Sequence, residues 1–117
     1  MVRILVCGGR DYADLNTIRS EMEALGEAYY VDDVTIVHGA ATGVDTLAGD
    51  MAAHLGFAVD EFPADWNRHG RAAGPIRNQQ MLDSGVDLVV AFPGGRGTAD
   101  MKRRARDAGV EVFEVSS

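Results

Sequence analysis

Short apolar runs rich in β-branched residues recur along the chain at Val2 to Cys7, Val34 to Val37, Phe57 to Phe62, Leu88 to Phe92 and Val110 to Val115. Near-continuous apolar runs of this length read as strands covered on both faces. The stretches between them carry a helical period instead. Leu15, Ile18, Met22 and Leu25 share one helix face, with Asp14 placed to cap a first helix that ends near Gly26 or a turn later. Val44, Leu47, Ala48, Met51, Ala52 and Leu55 repeat the pattern, and Gly56 stands where a left-handed C-cap residue belongs. A third helix is predicted from about Pro75 to Leu82 or Asp83, with Gly85 beyond its end, and a fourth from about Thr98 to Ala108, closed by Gly109.

Five strands alternating with helices predict a parallel sheet, because consecutive parallel strands need a crossover and right-handed crossovers put helices on both faces. With 117 residues the chain fits one domain over 1–117. The expected fold is therefore a single three-layer α/β domain of Rossmann-like type. Ligands in such sheets bind beyond the carboxyl ends of the strands, where the strand order reverses.

Charge narrows the range of partners. The formal net charge is −7, which weighs against a general nucleic-acid binder, since phosphate neutralisation needs a basic footprint. The charge is unevenly spread: residues 1–63 carry a net −8 and residues 64–106 a net +4. A small anionic ligand held by the second half fits this asymmetry, though a run such as Lys102-Arg103-Arg104-Ala105-Arg106 is more often a solvated helix face. No apolar run approaches the roughly 18 residues of a membrane span, and the N-terminal apolar stretch is too short for a signal peptide. A cytoplasmic protein with no membrane contact is expected. Cys7 is the only cysteine and reads as a small core residue. His38, His54 and His69 are scattered without metal-ligand spacing, so no metal or cofactor is expected.

The strand ends hold the candidate chemistry. The first strand runs into Gly8-Gly9-Arg10, the second into His38-Gly39-Ala40-Ala41-Thr42-Gly43-Val44-Asp45, and the fourth into Pro93-Gly94-Gly95-Arg96-Gly97-Thr98. Glycine in such turns lets a ligand approach the backbone, and the free N–H groups of the next helix form an anion site. Neither the P-loop nor the dinucleotide fingerprint is present. Thr98 can cap the following helix or bond a phosphate oxygen. Asp45 can serve the helix dipole or accept from ribose hydroxyls. The segment Pro63 to Gly74 shows no periodicity, and loops of this length are functional or mobile. It holds Trp66, which either packs the loop down or stacks on a base, and Arg68 and Arg71, which are placed to meet phosphate.

These glycine-rich turns, together with Gly74-Pro75-Ile76-Arg77-Asn78-Gln79-Gln80-Met81, resemble the SLOG superfamily over nearly the whole chain, and its small stand-alone YspA-like branch most of all. The superfamily includes the Lonely Guy phosphoribohydrolases, formerly called lysine decarboxylases, and the DNA-processing protein. In the phosphoribohydrolases the motif Pro-Gly-Gly-x-Gly-Thr-x-x-Glu binds phosphate and supplies a catalytic Glu, and an Arg in Arg-Lys-x-x-Met assists. Here Pro93 to Thr98 match the first six positions, and Arg77 and Met81 match the second motif with Asn78 in place of Lys. The catalytic Glu position falls on Met101. Asp100 precedes it, but adjacent helix residues point about 100° apart.

The resemblance implies a nucleotide or nucleotide-derived ligand. The candidate binding residues are Gly8, Gly9, Arg10, Gly39, Thr42, Gly43, Asp45, Arg77, Asn78, Gly94, Gly95, Arg96, Gly97 and Thr98. Gly94, Gly95, Gly97 and Thr98 would hold phosphate, Arg77 would complement its charge, and Gly9, Arg10 and Asp45 would shape the ribose or base side. A binding or sensing module is the first expectation. The alternative is a nucleoside 5'-monophosphate phosphoribohydrolase using Arg77 with Asp100, Asp45 or Asp11 in place of the missing Glu, and a third reading is a DNA-binding accessory protein. A homodimer through the third and fourth predicted helices is also expected.

Overall fold

The computed structural model describes residues 1–116. Five strands, β1 (Val2–Cys7), β2 (Val34–His38), β3 (Ala58–Glu61), β4 (Leu88–Ala91) and β5 (Glu111–Glu114), form one sheet in the order β3-β2-β1-β4-β5. Every neighbouring pair is parallel. The five helices are α1 (Leu15–Ala28), α2 (Val44–Leu55), α3 (Trp66–His69), α4 (Ala73–Asp83) and α5 (Arg96–Asp107).

Alternation along the central strands explains the three layers. Ile4 and Val6 of β1 point to one face, where they pack with Ile18 and Met22 of α1 and Val44, Ala48 and Ala52 of α2. Leu5 and Cys7 point to the other, against Met81 of α4 and Met101 and Ala105 of α5. All of these residues are buried. Both faces of β1 are thus apolar, whereas the edge strands β3 and β5 carry the exposed Glu61, Glu111 and Glu114. Charge on an edge discourages pairing with another sheet.

Local signals set the helix ends. Asp14 accepts from the Thr17 amide at 3.1 Å and starts α1, and Gly56, at φ +97°, ends α2 in the left-handed conformation. The third and fourth predicted helices correspond to α4 and α5. Each begins two residues before its expected start, α4 at Ala73 because Pro75 is tolerated in a first turn, and α5 at Arg96 behind Gly95.

The segment Pro63 to Gly74 departs from expectation. Instead of a patternless loop it folds into α3 and a 3₁₀ turn, Gly70–Ala72, that leads into α4. Asp65 accepts from the Arg68 amide at 3.1 Å. A single capped turn has too few residues to show an apolar period. No helix among the described residues is long and apolar enough to cross a membrane.

Candidate ligand-binding cleft

The strand order reverses between β1 and β4: the chain proceeds outward from β1 through β2 to β3, then returns to β1's other side for β4 and β5. Such a switch point opens a crevice at the carboxyl ends of the strands. A cleft of about 930 Å³ lies there. Its floor is Cys7 and Met81; its walls come from the turns after β1 and β4, from Trp66 of α3, and from the start of α4.

The two turns are joined to each other. The Gly9 amide donates to the Pro93 carbonyl at 2.9 Å and the Phe92 amide to the Cys7 carbonyl at 2.9 Å. Space decides which residues fit. A Cβ on Gly8 would lie 2.6 Å from Val44 Cγ2, and one on Gly94 would overlap Thr98 Oγ1 and sit 2.7 Å from the Gly9 amide nitrogen. Gly43, at φ +80°, tucks beneath the Gly9–Arg10 carbonyls, and the following Val44 amide donates to the Gly9 carbonyl at 3.3 Å.

Gly95 and Gly97 are different. A methyl group at either would meet no atom within 4 Å. Gly97 stands in the first turn of α5, where glycine is a poorer helix former than alanine. Packing does not require these glycines. The first backbone hydrogen bond of α5 runs from Ala99 to Gly95, and Gly95 caps the helix with no side-chain bond. The amides of Arg96, Gly97 and Thr98 have no acceptor within the helix, and these three residues line the cleft at the positive end of the helix dipole.

Four arginines, Arg10, Arg71, Arg77 and Arg96, line the same space. Arg77 crosses from α4 to the end of β2, donating through Nη1 to the Gly39 carbonyl and through Nε to Asn78 Oδ1 at 3.1 Å. Burial lowers the pKa of Arg77, while Asp45 opposes that shift and Arg10 adds to it. Asp45 is itself buried and accepts from the Gly39 amide at 3.0 Å. Burial raises its pKa against the pull of Arg77 and the Gly39 amide. Burial likewise pushes the Cys7 thiol up to about 12, with Asp45 contributing, so Cys7 is no nucleophile at neutral pH.

Asp100 is engaged elsewhere. It accepts from Asn78 Nδ2 at 2.9 Å, from Arg104 Nε at 2.8 Å and from Arg103 Nη2 at 2.8 Å. Burial works to raise its pKa, but the bonds from Asn78, Arg104 and Arg103 prevail and hold the carboxyl below its usual value. Met101 is 1% exposed and packs into the core between sheet and helices.

Of the residues singled out from sequence, Gly8, Gly9, Arg10, Asp11, Asp45, Arg77, Asn78, Gly94, Gly95, Arg96, Gly97, Thr98 and Asp100 line the cleft together. Gly39, Thr42 and Gly43 do not. Gly39 anchors Arg77 and Asp45 from behind, Gly43 supports the β1 turn, and Thr42 is exposed outside the cleft. Tyr12 was not anticipated: it lines the cleft, stacks at a tilt on Phe92 with centroids 5.6 Å apart, and leaves its buried hydroxyl unpartnered. Its place directly after Gly-Gly-Arg-Asp was the one available signal. Arg71 and Trp66 reach the cleft, while Arg68 faces solvent outside it.

A five-stranded parallel sheet with a glycine-lined crevice at its switch point defines a Rossmann-like α/β domain. The chain belongs to the YspA, cpYpsA-related SLOG family, whose sequence profile matches residues 2–69. It is 36% identical over 122 residues to the Gene 61 protein of Mycobacterium phage D29, covering 97% of this chain and 95% of the relative. Its fold is similar to DNA processing protein A from Streptococcus pneumoniae, with a TM-score of 0.81 at 17% identity, over 100% of this chain and 51% of that one. This chain thus spans about half of that protein. It is also similar to the Moco carrier protein from Chlamydomonas reinhardtii, with a TM-score of 0.67 at 18% identity, over 97% and 75% of the two chains.

Proposed function

We propose that this chain binds a nucleotide or nucleotide-derived ligand across the β1/β4 switch point and holds it without cleaving it. The observation that carries this reading is the start of α5. Gly95 and Gly97 leave open space at a helix start whose first amides have no acceptor within the helix, where no packing demands glycine, and Arg77 and Arg96 line the same cleft. A phosphate seated there would satisfy the helix N-terminus and the guanidinium charge together. Gly9, Arg10 and Asp45 would then flank the sugar and base. A carrier among the structurally similar proteins fits a domain that holds a small molecule.

Binding is favoured over hydrolysis because glycosidic cleavage needs a carboxylate free to activate water or to stabilise charge at the sugar. Asp100 is tied by three side chains, Asp45 is buried and bonded to the Gly39 amide, and the phosphoribohydrolase Glu position is the buried Met101; Asp11 stays exposed on the cleft wall and is the carboxylate left to carry hydrolysis if free base appears. The cleft's limited volume and the net charge of −7 favour a small ligand over a DNA strand.

The test is thermal stability against AMP, GMP, CMP, ADP-ribose, NAD and cyclic nucleotides, followed by chromatography of each mixture. Ligand at 100 times Kd stabilises by about 2.7 kcal/mol and raises the midpoint by several degrees. A shift with no free base is expected, and Arg77→Ala should abolish it. Free base in the chromatogram would establish a phosphoribohydrolase instead. A retarded band for single-stranded DNA at moderate salt would favour the nucleic-acid reading. We also infer a cytoplasmic homodimer through the outer faces of α4 and α5, which equilibrium sedimentation would refute by showing only monomer at micromolar concentration.

A further inference from the structure

Trp66 is the only tryptophan of the chain, and it is 49% exposed on a cleft wall rather than packed into the core. It stands at the first position of α3, fixed by the Asp65 cap, and its ring edge lies near Gly74, where an added Cβ would be 3.6 Å from Cη2. The indole is covered by a cation: Arg10 Cζ lies 5.7 Å from the ring centroid. The ring thus offers a flat face to a planar, polar-edged group in a cleft that the first turn of α5 also lines.

We propose that Trp66 is the base-recognition platform of this cleft, and that the Arg10 guanidinium marks the position a heteroaromatic base takes on the indole. A guanidinium and a nucleobase are both planar, delocalised and hydrogen-bonding at the rim, and both stack on an indole face. Stacking tolerates any base, because each has a π-face. Arg10, displaced by the base, remains on the sugar and base side of the cleft as a donor to the ligand's oxygens. Selectivity on this view is for nucleotides over sugar phosphates rather than for one base over another. The inference rests on the nucleotide-binding reading above and assigns the other end of the ligand.

The experiment compares AMP, GMP, CMP and UMP with ribose 5-phosphate by calorimetry on the wild-type chain, Trp66→Phe and Trp66→Ala, with tryptophan fluorescence followed on the wild type. Nucleotides should bind at least about tenfold more tightly than ribose 5-phosphate and quench the single tryptophan. Trp66→Ala should lower nucleotide affinity to the sugar-phosphate level and leave ribose 5-phosphate binding unchanged, and Trp66→Phe should keep most of the preference. Undiminished nucleotide preference in Trp66→Ala would overturn the platform and leave the nucleotide reading standing. Equal loss of both ligand types in Trp66→Ala would overturn it too, by making Trp66 a support of the cleft wall. No binding of any of these ligands to the wild type would remove the nucleotide reading and the platform with it.

Discussion

Asn78 of α4 donates to Asp100 of α5 through a 2.9 Å hydrogen bond, and that contact fixes what Asp100 does. Arg104 and Arg103 complete the carboxylate's partners, so the group ties two helices together beside the cleft. Asp100→Ala should destabilise the domain by about 1–3 kcal/mol, the range for charge-assisted bonds of partly buried groups. Nucleotide affinity should change far less than in Arg77→Ala. Urea denaturation and calorimetry on the two variants check this. Wild-type stability in Asp100→Ala would mean that the network contributes nothing.

Two of the cleft carboxylates, Asp45 and Asp100, should respond oppositely to pH. Asp100 has a native pKa below its ordinary 3.8, so its contribution is complete above the unfolded value and disappears as pH falls through the native one. Asp45 has a native pKa above 3.8. The native state then binds more protons than the unfolded state, and stability declines as pH rises from 3.8 through the native value. Relative to wild type, Asp100→Asn should lose stability as pH rises from acid toward neutral, and Asp45→Asn should gain it. Urea midpoints of the three proteins from acid to neutral pH would show the two trends, and parallel curves would refute both assignments.

A methyl group at Gly39 would overlap the guanidinium of Arg77. That guanidinium is the end of a flexible side chain, so it can move while the backbone stays. Gly39→Ala should therefore fold and yet bind nucleotide as weakly as Arg77→Ala does. The comparison separates position from charge, because the variant keeps the cation and moves it. Full affinity in Gly39→Ala would show that Arg77 need not be held against the β2 end.

Much of this architecture could be read from periodicity and from Pro and Gly stops, because the central strands are buried on both faces and α1 and α2 each keep one apolar stripe. Gly56 marked the end of α2 for the steric reason seen at its φ of +97°. The reading failed where the deciding partner is distant or the element is short. α3 occupies one turn and offers no period. His38 is buried because Gly49 of α2 leaves room for its ring, a pairing that no local pattern announces. Ala40 takes φ +57° without being glycine, while its amide donates to His38 Nδ1 at 3.0 Å. The glycines at the strand ends were legible, but Gly39 and Gly43 have the same sequence signature as Gly95 and Gly97 and are hemmed in by neighbours, whereas Gly95 and Gly97 face open space. Only the space around each glycine separates the two pairs.

That separation has a consequence for Gly97. Alanine there would meet no neighbouring atom and would favour the helix by about 0.5–1 kcal/mol. Gly97→Ala should raise the unfolding midpoint of the free protein by a few degrees and weaken phosphate-bearing ligands by crowding the amides they approach. Thermal melts with and without AMP read both effects at once. A variant both more stable and equally able to bind would remove Gly97 from the site.

Met101 supplies the sharpest contrast with the phosphoribohydrolase motif. Its side chain packs in the cluster with Leu5, Cys7, Met81 and Ala105 and is 1% exposed. A carboxylate placed there would lie beside Cys7, whose thiol burial already pushes up to about 12, and it would be protonated for the same reason. Met101→Glu should therefore cost about 3 kcal/mol or more, grow less stable still as pH rises and ionisation is forced on the buried acid, and release no free base from AMP. Denaturation at pH 5 and pH 8 with chromatography of the AMP mixture tests all three. Free base from a folded Met101→Glu protein would make that one side chain the only barrier between this cleft and hydrolysis, and the binding reading would then describe an enzyme that lacks its acid.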